Sequence, residues 1–362
     1  MKNIFATRTG IIAAGLIIGV LAAMLQKLGN PGNMGLCMAC FERDIAGALG
    51  LHSVGGLQYI RPEIIGIGLG SMVTALFAGE FRARGGSASA VRFFLGVFAM
   101  IGALVFLGCP WRAFLRLAGG DLNAVAGIAG LAAGVWIGAQ FLRRGYSLGR
   151  ARTAEGSALP GFILPAFLIA LLLLAVFGFG KLSPDAPVVD GAKKLAAHAP
   201  LWISLIAGLV VGAVAQRSRF CTMGALRDLV IVRDAHLLLG VVAFTAAALV
   251  LNLVFGSFKL GFAGQPAAHT DQLWNAMGMV LAGLCFVLAG GCPGRQIVLA
   301  GEGDGDSAVF VLGMIVGAGF AHNFGLASSG KGPGEFGPTA VIIGLVFALV
   351  VAVTMTRRGG RA

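Results

Sequence analysis

Long apolar stretches alternate with short connections rich in charged residues, glycine or proline along the whole chain. Ten of these stretches are about 17–25 residues long, enough for a helix to cross a bilayer core of about 30 Å. The pattern therefore predicts an all-α polytopic membrane protein. The ten predicted spans are 10–28, 62–80, 91–108, 122–142, 160–180, 200–216, 236–258, 273–291, 306–327 and 337–356.

Four further segments are apolar but too short to cross a membrane. They cover residues 36–50, 109–120, 220–233 and 292–303, and each begins at or next to a cysteine. Backbone that turns back at membrane depth is tolerated only where protein or a cavity shields it from lipid. We therefore predict four short re-entrant helices at these positions.

Composition supports the membrane assignment. Only 12% of the residues are charged and 57% are hydrophobic, whereas soluble domains carry about 25% charged residues. The net charge of +12 would suggest nucleic acid in a soluble protein. Here the basic residues lie between predicted spans, which indicates the positive-inside bias of a protein in a lipid bilayer. We expect no nucleic-acid partner.

Two cysteine signatures occur in the same order in both halves of the chain. Cys37 precedes Arg43-Asp44 by six residues, as Cys221 precedes Arg227-Asp228. Each is followed, 72 residues later in the first half and 71 in the second, by a second signature. That signature is Cys109-Pro110-x-Arg112 in the first half and Cys292-Pro293-x-Arg295 in the second. The recurrence indicates a duplicated unit.

The duplication predicts an inverted repeat. Five spans per half is an odd number, so the second half enters the membrane upside down relative to the first. The repeats are residues 1–180 and 200–362, joined by an external linker at 181–199. Placing both termini in the cytoplasm puts seventeen of the twenty-seven basic residues on that side, as the positive-inside rule requires. The first apolar run exceeds a signal-peptide core, so we expect it to be retained as a span.

The repeated cysteines suggest the chemistry of the shared site. A thiol is soft, polarisable and a weak hydrogen-bond donor, so it can contact a sulfur or selenium atom without holding it tightly. Conduction needs such weak, sequential sites. The N-termini of the short helices would add free N–H groups for an anion, and Pro110 and Pro293 suit a first helical turn. We predict that a central path is lined by Cys37, Cys109, Cys221 and Cys292.

Other interpretations of the same residues remain open. Buried cysteines are often simple packing residues, which is the expectation for Cys40 and Cys285. The Cys37-x-x-Cys40 spacing also allows a thiol–disulfide redox pair, which would make the chain a membrane oxidoreductase instead of a transporter. No histidine lies at ligand spacing, so we expect no metal and no cofactor.

The charged residues of the signatures are also ambiguous. They either pin the short helices by salt bridges or attract an anion. This applies to the supporting residues Arg43, Asp44, Arg112, Arg227, Asp228 and Arg295.

These motifs together resemble the YeeE/YedE membrane family. The resemblance covers nearly the whole chain and rests on Gly108-Cys109-Pro110, Gly291-Cys292-Pro293 and the two Cys-to-Arg-Asp signatures. It implies an hourglass-like helical fold whose short helices dip toward a constriction, and inward transport of thiosulfate across a bacterial inner membrane. It also implies that thiols receive the anion in turn, with Cys109 outside, Cys37 central and Cys292 toward the cytoplasm.

The resemblance is closer to the YedE branch, which is proposed to carry selenium compounds. The chain length, the Cys37/Cys40 pair and the long linker point that way, while Trp111 departs from the thiosulfate pattern. This branch implies a cytoplasmic sulfur-carrier partner of the TusA/SirA type. A soft sulfur or selenium anion is thus the expected substrate, and no enzymatic activity is expected.

Overall fold

A computed structural model of the chain describes residues 4–153, 159–177 and 197–359. The described residues are almost entirely helical, with one two-stranded ribbon in which β1 (Arg84–Gly85) pairs antiparallel with β2 (Arg152–Thr153). The first seven helices are α1 Arg8–Lys27, α2 Met38–Ala48, α3 Pro62–Phe77, α4 Ser89–Phe106, α5 Pro110–Ala118, α6 Asn123–Arg143 and α7 Ile163–Phe177. The others are α8 Leu201–Ser218, α9 Thr222–Ile231, α10 His236–Val254, α11 Gln272–Ala289, α12 Pro293–Gly301, α13 Gly305–Asn323 and α14 Gly337–Gly359.

The prediction of an all-α polytopic membrane protein is confirmed. Eight helical stretches in the described ranges are long and apolar enough to cross a membrane. The helices α3 and α7, with 16 and 15 residues, are shorter. The count of ten spans and the inverted repeat stay predictions, and residues 181–196 of the predicted linker lie outside the described residues.

Helices from the two halves pack in reciprocal pairs. Two sets of helix pairs are present in the structure. In the first set, α1 packs along α10 and α3 along α8; in the second set, α4 packs along α13 and α6 along α11. Glycines bring the backbones close together. A Cβ built on Gly15 in α1 would lie 2.0 Å from the carbonyl oxygen of Gly240 in α10. A Cβ on Gly208 in α8 would lie 2.5 Å from the carbonyl oxygen of Glu63 in α3. Small residues permit this close packing in membrane helices.

The long helices that precede Cys109, Cys221 and Cys292 each end in a left-handed residue. Leu107 ends α4 with φ 64°, Arg219 ends α8 with φ 57°, and Gly290 ends α11 with φ 94°. A left-handed residue stops an α-helix and turns the chain. The next helix then starts within four residues, at the cysteine. At these three cysteines a short helix therefore follows directly after a long one.

The short helices differ in depth. All residues of α2 are buried, and α5 and α12 are buried along most of their length. In α9 only the first turn, Thr222–Ala225, is buried. The inner ends of all four meet the core of the molecule, while α9 alone emerges quickly to the surface.

Candidate functional site

The four repeated cysteines are the N-cap residues of the four short helices. The Cys37 Sγ accepts a hydrogen bond from the Cys40 amide at 3.4 Å, and the Cys221 Sγ accepts one from the Gly224 amide at 3.2 Å. Thiols therefore occupy the place that Ser or Asp usually takes at a helix start.

Cys109 and Cys292 begin their helices differently. The first helical residue after each is a proline, which has no N–H to satisfy. In the part of the chain that the structure describes, neither thiol makes a capping hydrogen bond. Each half thus contributes one thiol that caps its helix and one that does not.

The structure brings the capping and non-capping thiols together in pairs. Cys221 Sγ lies 3.5 Å from Cys292 Sγ. Cys37 interacts with both Cys109 and Cys40. All four repeated thiols are buried, and Cys221, at 5% exposure, is the most accessible of them. In each half, the cysteine of the second signature therefore lies beside the cysteine of the first signature.

Trp111 connects the two cysteine pairs. It follows Cys109-Pro110, and its ring lies against Gly294, which follows Cys292-Pro293: a Cβ built on Gly294 would be 3.0 Å from two ring carbons. The same ring meets Phe220, the neighbour of Cys221, edge to face at 5.2 Å between centroids. The two Cys-Pro motifs are thus in contact across the interface of the halves. Sequence reasoning treated Trp111 only as a departure from a pattern.

Arg112 is a buried cation whose hydrogen bonds go to neutral groups. It is 0% exposed and donates to the carbonyl oxygen of Leu107 and to the carbonyl oxygens of Asn33, Pro266 and Ala267 at 3.1–3.2 Å. It also lies 3.7 Å from Cys40 Sγ. It has no carboxylate partner among the described residues. A buried charge without a counter-ion strongly favours a nearby anion.

Asp44, in the second half of α2, is the centre of a buried ionic network. It accepts from Arg43 at 2.7 Å and from Arg61 at 2.6 Å, and Arg61 also stacks over Phe41. Arg61 precedes α3 and was not predicted from the sequence, because nothing local links it to the cysteine signature. The salt-bridge interpretation of Arg43 and Asp44 therefore fits the geometry.

The corresponding charges in the second half are more exposed. Arg227 pairs with Asp228 at 2.8 Å, and their side chains are 32% and 26% exposed. Arg295 pairs with Glu302 at 3.3 Å, in contrast to the unpaired Arg112 that occupies its place in the first half. The two halves thus repeat their charges in sequence but not their surroundings.

An open cavity of about 500 Å³ leads to the second cysteine pair. Cys221 lines it, together with the four arginines Arg217, Arg219, Arg227 and Arg295. Asp228 is the carboxylate that lines the same cavity. Arg217 and Arg219 were not singled out from the sequence; their signal was a basic run directly before a cysteine.

Glu42 is a buried acid that the sequence reasoning missed. It lies in α2 at 0% exposure, and in the described part of the chain neither carboxylate oxygen has a hydrogen-bond partner. The position aligns with Leu226 in the second half, so the acid belongs to one repeat only.

The remaining cysteines and the metal question are simpler. Cys285 is buried in α11 among apolar side chains, as expected of a packing residue. Cys40 is buried beside Cys37 and Arg112. The residues described hold no group of three His, Cys, Asp or Glu side chains that could bind a metal ion.

Comparison with known proteins places this geometry in context. Residues 217–356 match the model of a family described as "Sulphur transport". The thiosulfate transporter TsuA of Spirochaeta thermophila is 32% identical over 103 residues, which cover 28% of this chain and 31% of that protein. TsuA of Escherichia coli K12 is 34% identical over 103 residues, covering 27% of this chain and 28% of that protein.

A longer match is with the probable transporter YedE of Salmonella typhimurium, 25% identical over 244 residues, or 62% of this chain and 54% of that protein. The chain thus spans between about a quarter and just over half of the relatives it matches. The segment 217–356 that the family model matches contains both cysteine signatures of the second half. The resemblance to the YeeE/YedE membrane family that the cysteine motifs predicted is confirmed.

Proposed function

We propose that this chain is a membrane transporter or facilitator that admits a soft sulfur or selenium anion, such as thiosulfate, along its cysteine thiols. The observation that carries the proposal is the contact of Trp111 with Gly294, because it joins the pairs Cys37/Cys109 and Cys221/Cys292 into one region. Four scattered packing cysteines would have no reason to occupy the N-cap positions of four short helices.

The charges at the two pairs suit an anion. Arg112 beside Cys40 supplies a buried positive charge, and the arginines of the cavity supply a second, open one. Helix N-termini at every thiol add partial positive charge. Weak S–H contacts between these two regions would let the anion move without binding it too tightly.

The packing of the helices supports an inverted 5+5 repeat with ten spans. The helix α1 relates to α10 as α8 relates to α3, and α4 to α13 as α11 to α6. An exchange of this kind is expected when a two-fold axis in the membrane plane relates two halves. On this proposal the short helices α2, α5, α9 and α12 are re-entrant, and the fold narrows where they meet.

Direction follows from the charge bias. With both termini in the cytoplasm, the cavity beside Ala6 and Arg217 opens on the cytoplasmic side. The path then runs from Cys109 and Cys37 to Cys292 and Cys221, and the bacterial inner membrane is the expected location. The relatives named as thiosulfate transporters make thiosulfate the first substrate to test.

Uptake of labelled anion into vesicles that contain the purified protein tests the proposal. Thiosulfate, selenite and sulfite are compared in wild type, Cys109→Ala and Cys37→Ala, with Cys285→Ala as the matched control because that thiol lies outside both pairs. We expect both path variants to abolish uptake while Cys285→Ala retains it. Exclusion of every anion by the wild type, or full uptake by Cys109→Ala, contradicts the proposal.

The same vesicles separate the two remaining questions. Preference for selenite over thiosulfate assigns the selenium branch. Loss of function in Cys40→Ser alone, with a reversible Cys37–Cys40 disulfide, favours the oxidoreductase alternative instead. Co-purification of a TusA/SirA-like carrier protein with this chain tests whether that protein is a partner on the cytoplasmic side.

A further inference from the structure

We infer that Cys221 and Cys292 form a reactive thiol pair that a dianionic disulfide of the sulfur-oxyanion class, such as tetrathionate, converts into an internal disulfide. The first argument is proximity. The two sulfur atoms are 3.5 Å apart, and a disulfide needs a separation of about 2.05 Å. Both residues are N-caps of short helices, so a disulfide between them would join the starts of α9 and α12.

The second argument is access. Cys221 lines the open cavity of about 500 Å³ and is 5% exposed, so a reagent that enters the cavity meets this residue. Cys292 lies behind it and is fully buried. The reagent therefore meets Cys221 first, and Cys292 is placed to act as the second, resolving thiol.

The third argument is charge. Four arginines and one aspartate line the cavity, and three of these arginines already pair with Glu80, Asp228 or Glu302. The cavity still carries net positive charge through Arg219. A cavity of this sign concentrates anions and repels cations. It therefore selects a dianionic disulfide over a neutral or cationic one of similar size.

The reaction balances without any group beyond the reagent. The Cys221 thiolate attacks one of the two central sulfurs of tetrathionate, the central S–S bond breaks, and one thiosulfate leaves. The Cys292 thiolate then attacks the Cys221 sulfur of the mixed adduct, and a second thiosulfate leaves. The two thiols release two protons to solvent and lose two electrons in total, and tetrathionate takes up these electrons to give two thiosulfate ions.

The other cysteine pair serves as an internal comparison. Cys37 and Cys109 are 0% exposed and do not line the cavity. Access controls thiol reactivity as much as thiolate character does. The same reagent should therefore leave Cys37 and Cys109 reduced while it links Cys221 to Cys292.

The test treats the purified full chain in detergent with tetrathionate, then blocks free thiols by alkylation and identifies cross-linked peptides by mass spectrometry. We expect a peptide pair joining Cys221 to Cys292 that a reductant releases. We expect it to form at least about tenfold faster than with cystamine, a cationic disulfide. In the Cys221→Ser variant, Cys292 should have no partner for a disulfide and should still be modified by the alkylating reagent. This readout does not depend on a transport assay.

Charge is tested separately by Arg219→Gln, with Lys331→Gln as the matched control because Lys331 is exposed and does not line the cavity. Arg219→Gln should slow the cross-link and Lys331→Gln should not. Absence of the Cys221–Cys292 peptide in the wild type overturns the inference. So does a lasting single adduct on Cys221, equal cross-linking of Cys37 to Cys109, or no preference for tetrathionate over cystamine.

The consequence for uptake rests on the proposed function. A disulfide removes both thiols from the path, so oxidised vesicles should stop importing thiosulfate and recover on reduction. A cross-link that forms in a protein without any uptake supports the inference on the Cys221–Cys292 pair and contradicts the proposed transport function. Uptake in a protein that forms no cross-link supports the transport function and contradicts the inference on the thiol pair.

Discussion

The buried cysteine site of the first half and the open cysteine site of the second half have the same backbone plan and opposite surroundings. In both, one thiol caps a short helix and the other precedes a proline. The first site is enclosed by α2, which is buried throughout, and by the charges of Arg112 and Asp44. The second faces a cavity of about 500 Å³.

The difference suggests a division of work after duplication. Burial strengthens electrostatic interactions and makes every unpaired charge costly. Open sites exchange with water and hold their charges loosely. On the proposed function, the first site would select the anion and the second would release it. Equivalent substitutions in the two halves should have unequal effects.

The largest contrast is expected at the two aspartates of the Arg-Asp motifs. Asp44→Asn leaves Arg43 and Arg61 buried without a full counter-charge, at a cost of about 3–5 kcal/mol. Asp228→Asn breaks a partly exposed pair, at a cost of about 0–1 kcal/mol. Thermal unfolding in detergent measures both. Equal shifts in melting temperature would remove the distinction between a buried and an open site.

A smaller contrast is expected at the two arginines after Cys-Pro. Arg112→Gln removes the charge beside Cys40 and leaves carbonyl acceptors unpaired, at a cost of about 1–3 kcal/mol in stability. We expect it to raise the KM for thiosulfate uptake more than Arg295→Gln does. Initial uptake rates over a range of concentrations give this comparison. A stronger effect of Arg295→Gln would make the open site the selective one.

The contact between the two sites is tested by Gly294→Ala. The added methyl would lie 3.0 Å from the Trp111 ring, so the ring or α12 must shift. Overpacking of this kind costs about 1–3 kcal/mol, and uptake should fall with it. Gly55→Ala is the control, since a Cβ there meets no atom within 4 Å. Unchanged uptake in Gly294→Ala would mean that the two sites work without this contact.

The smallest effect is expected at the rim of the cavity. Glu80 accepts hydrogen bonds from Gln216 and Arg217, and these hold the pKa of its carboxyl below the usual value, with the Gln216 bond as the main cause. Its contribution is therefore present above the usual glutamate pKa and lost as pH falls through the lower folded value. The Glu80 side chain is 48% exposed, so Glu80→Gln should cost less than about 1 kcal/mol at neutral pH.

The check is a melting curve of wild type and Glu80→Gln at pH 7 and again in the acidic range. The difference between the two proteins should shrink as the carboxyl takes up a proton. A difference that grows on acidification contradicts the assignment.

The helices could be predicted from the sequence because their signals are local. Observed and predicted starts agree closely at Pro62, Pro110, His236 and Pro293, where proline or a polar turn marks the boundary. The four thiols were found because a repeat displays them twice. Local pattern and repetition thus account for most of the fold and half of the site.

The rest of the site depends on distant contacts. Arg61 reaches Asp44 across seventeen residues, and Trp111 meets Gly294 across the two halves. Glu42 looks in the sequence like a polar residue at the edge of a short helix and proves to be buried. Partners of this kind are fixed by packing between elements, and no periodicity in one segment encodes them.

The thiol caps of α2 and α9 have a consequence for how long a solute stays. Each sulfur already occupies an amide that an incoming oxyanion would seek, at Cys40 and Gly224. An incoming oxyanion must therefore replace the sulfur as the hydrogen-bond acceptor of this amide. The oxyanion is released when the sulfur accepts the hydrogen bond again. Serine is the stronger cap and would resist this replacement. On the proposed function, a hydroxyl in place of either sulfur should therefore stabilise the start of the helix and slow the passage of the anion.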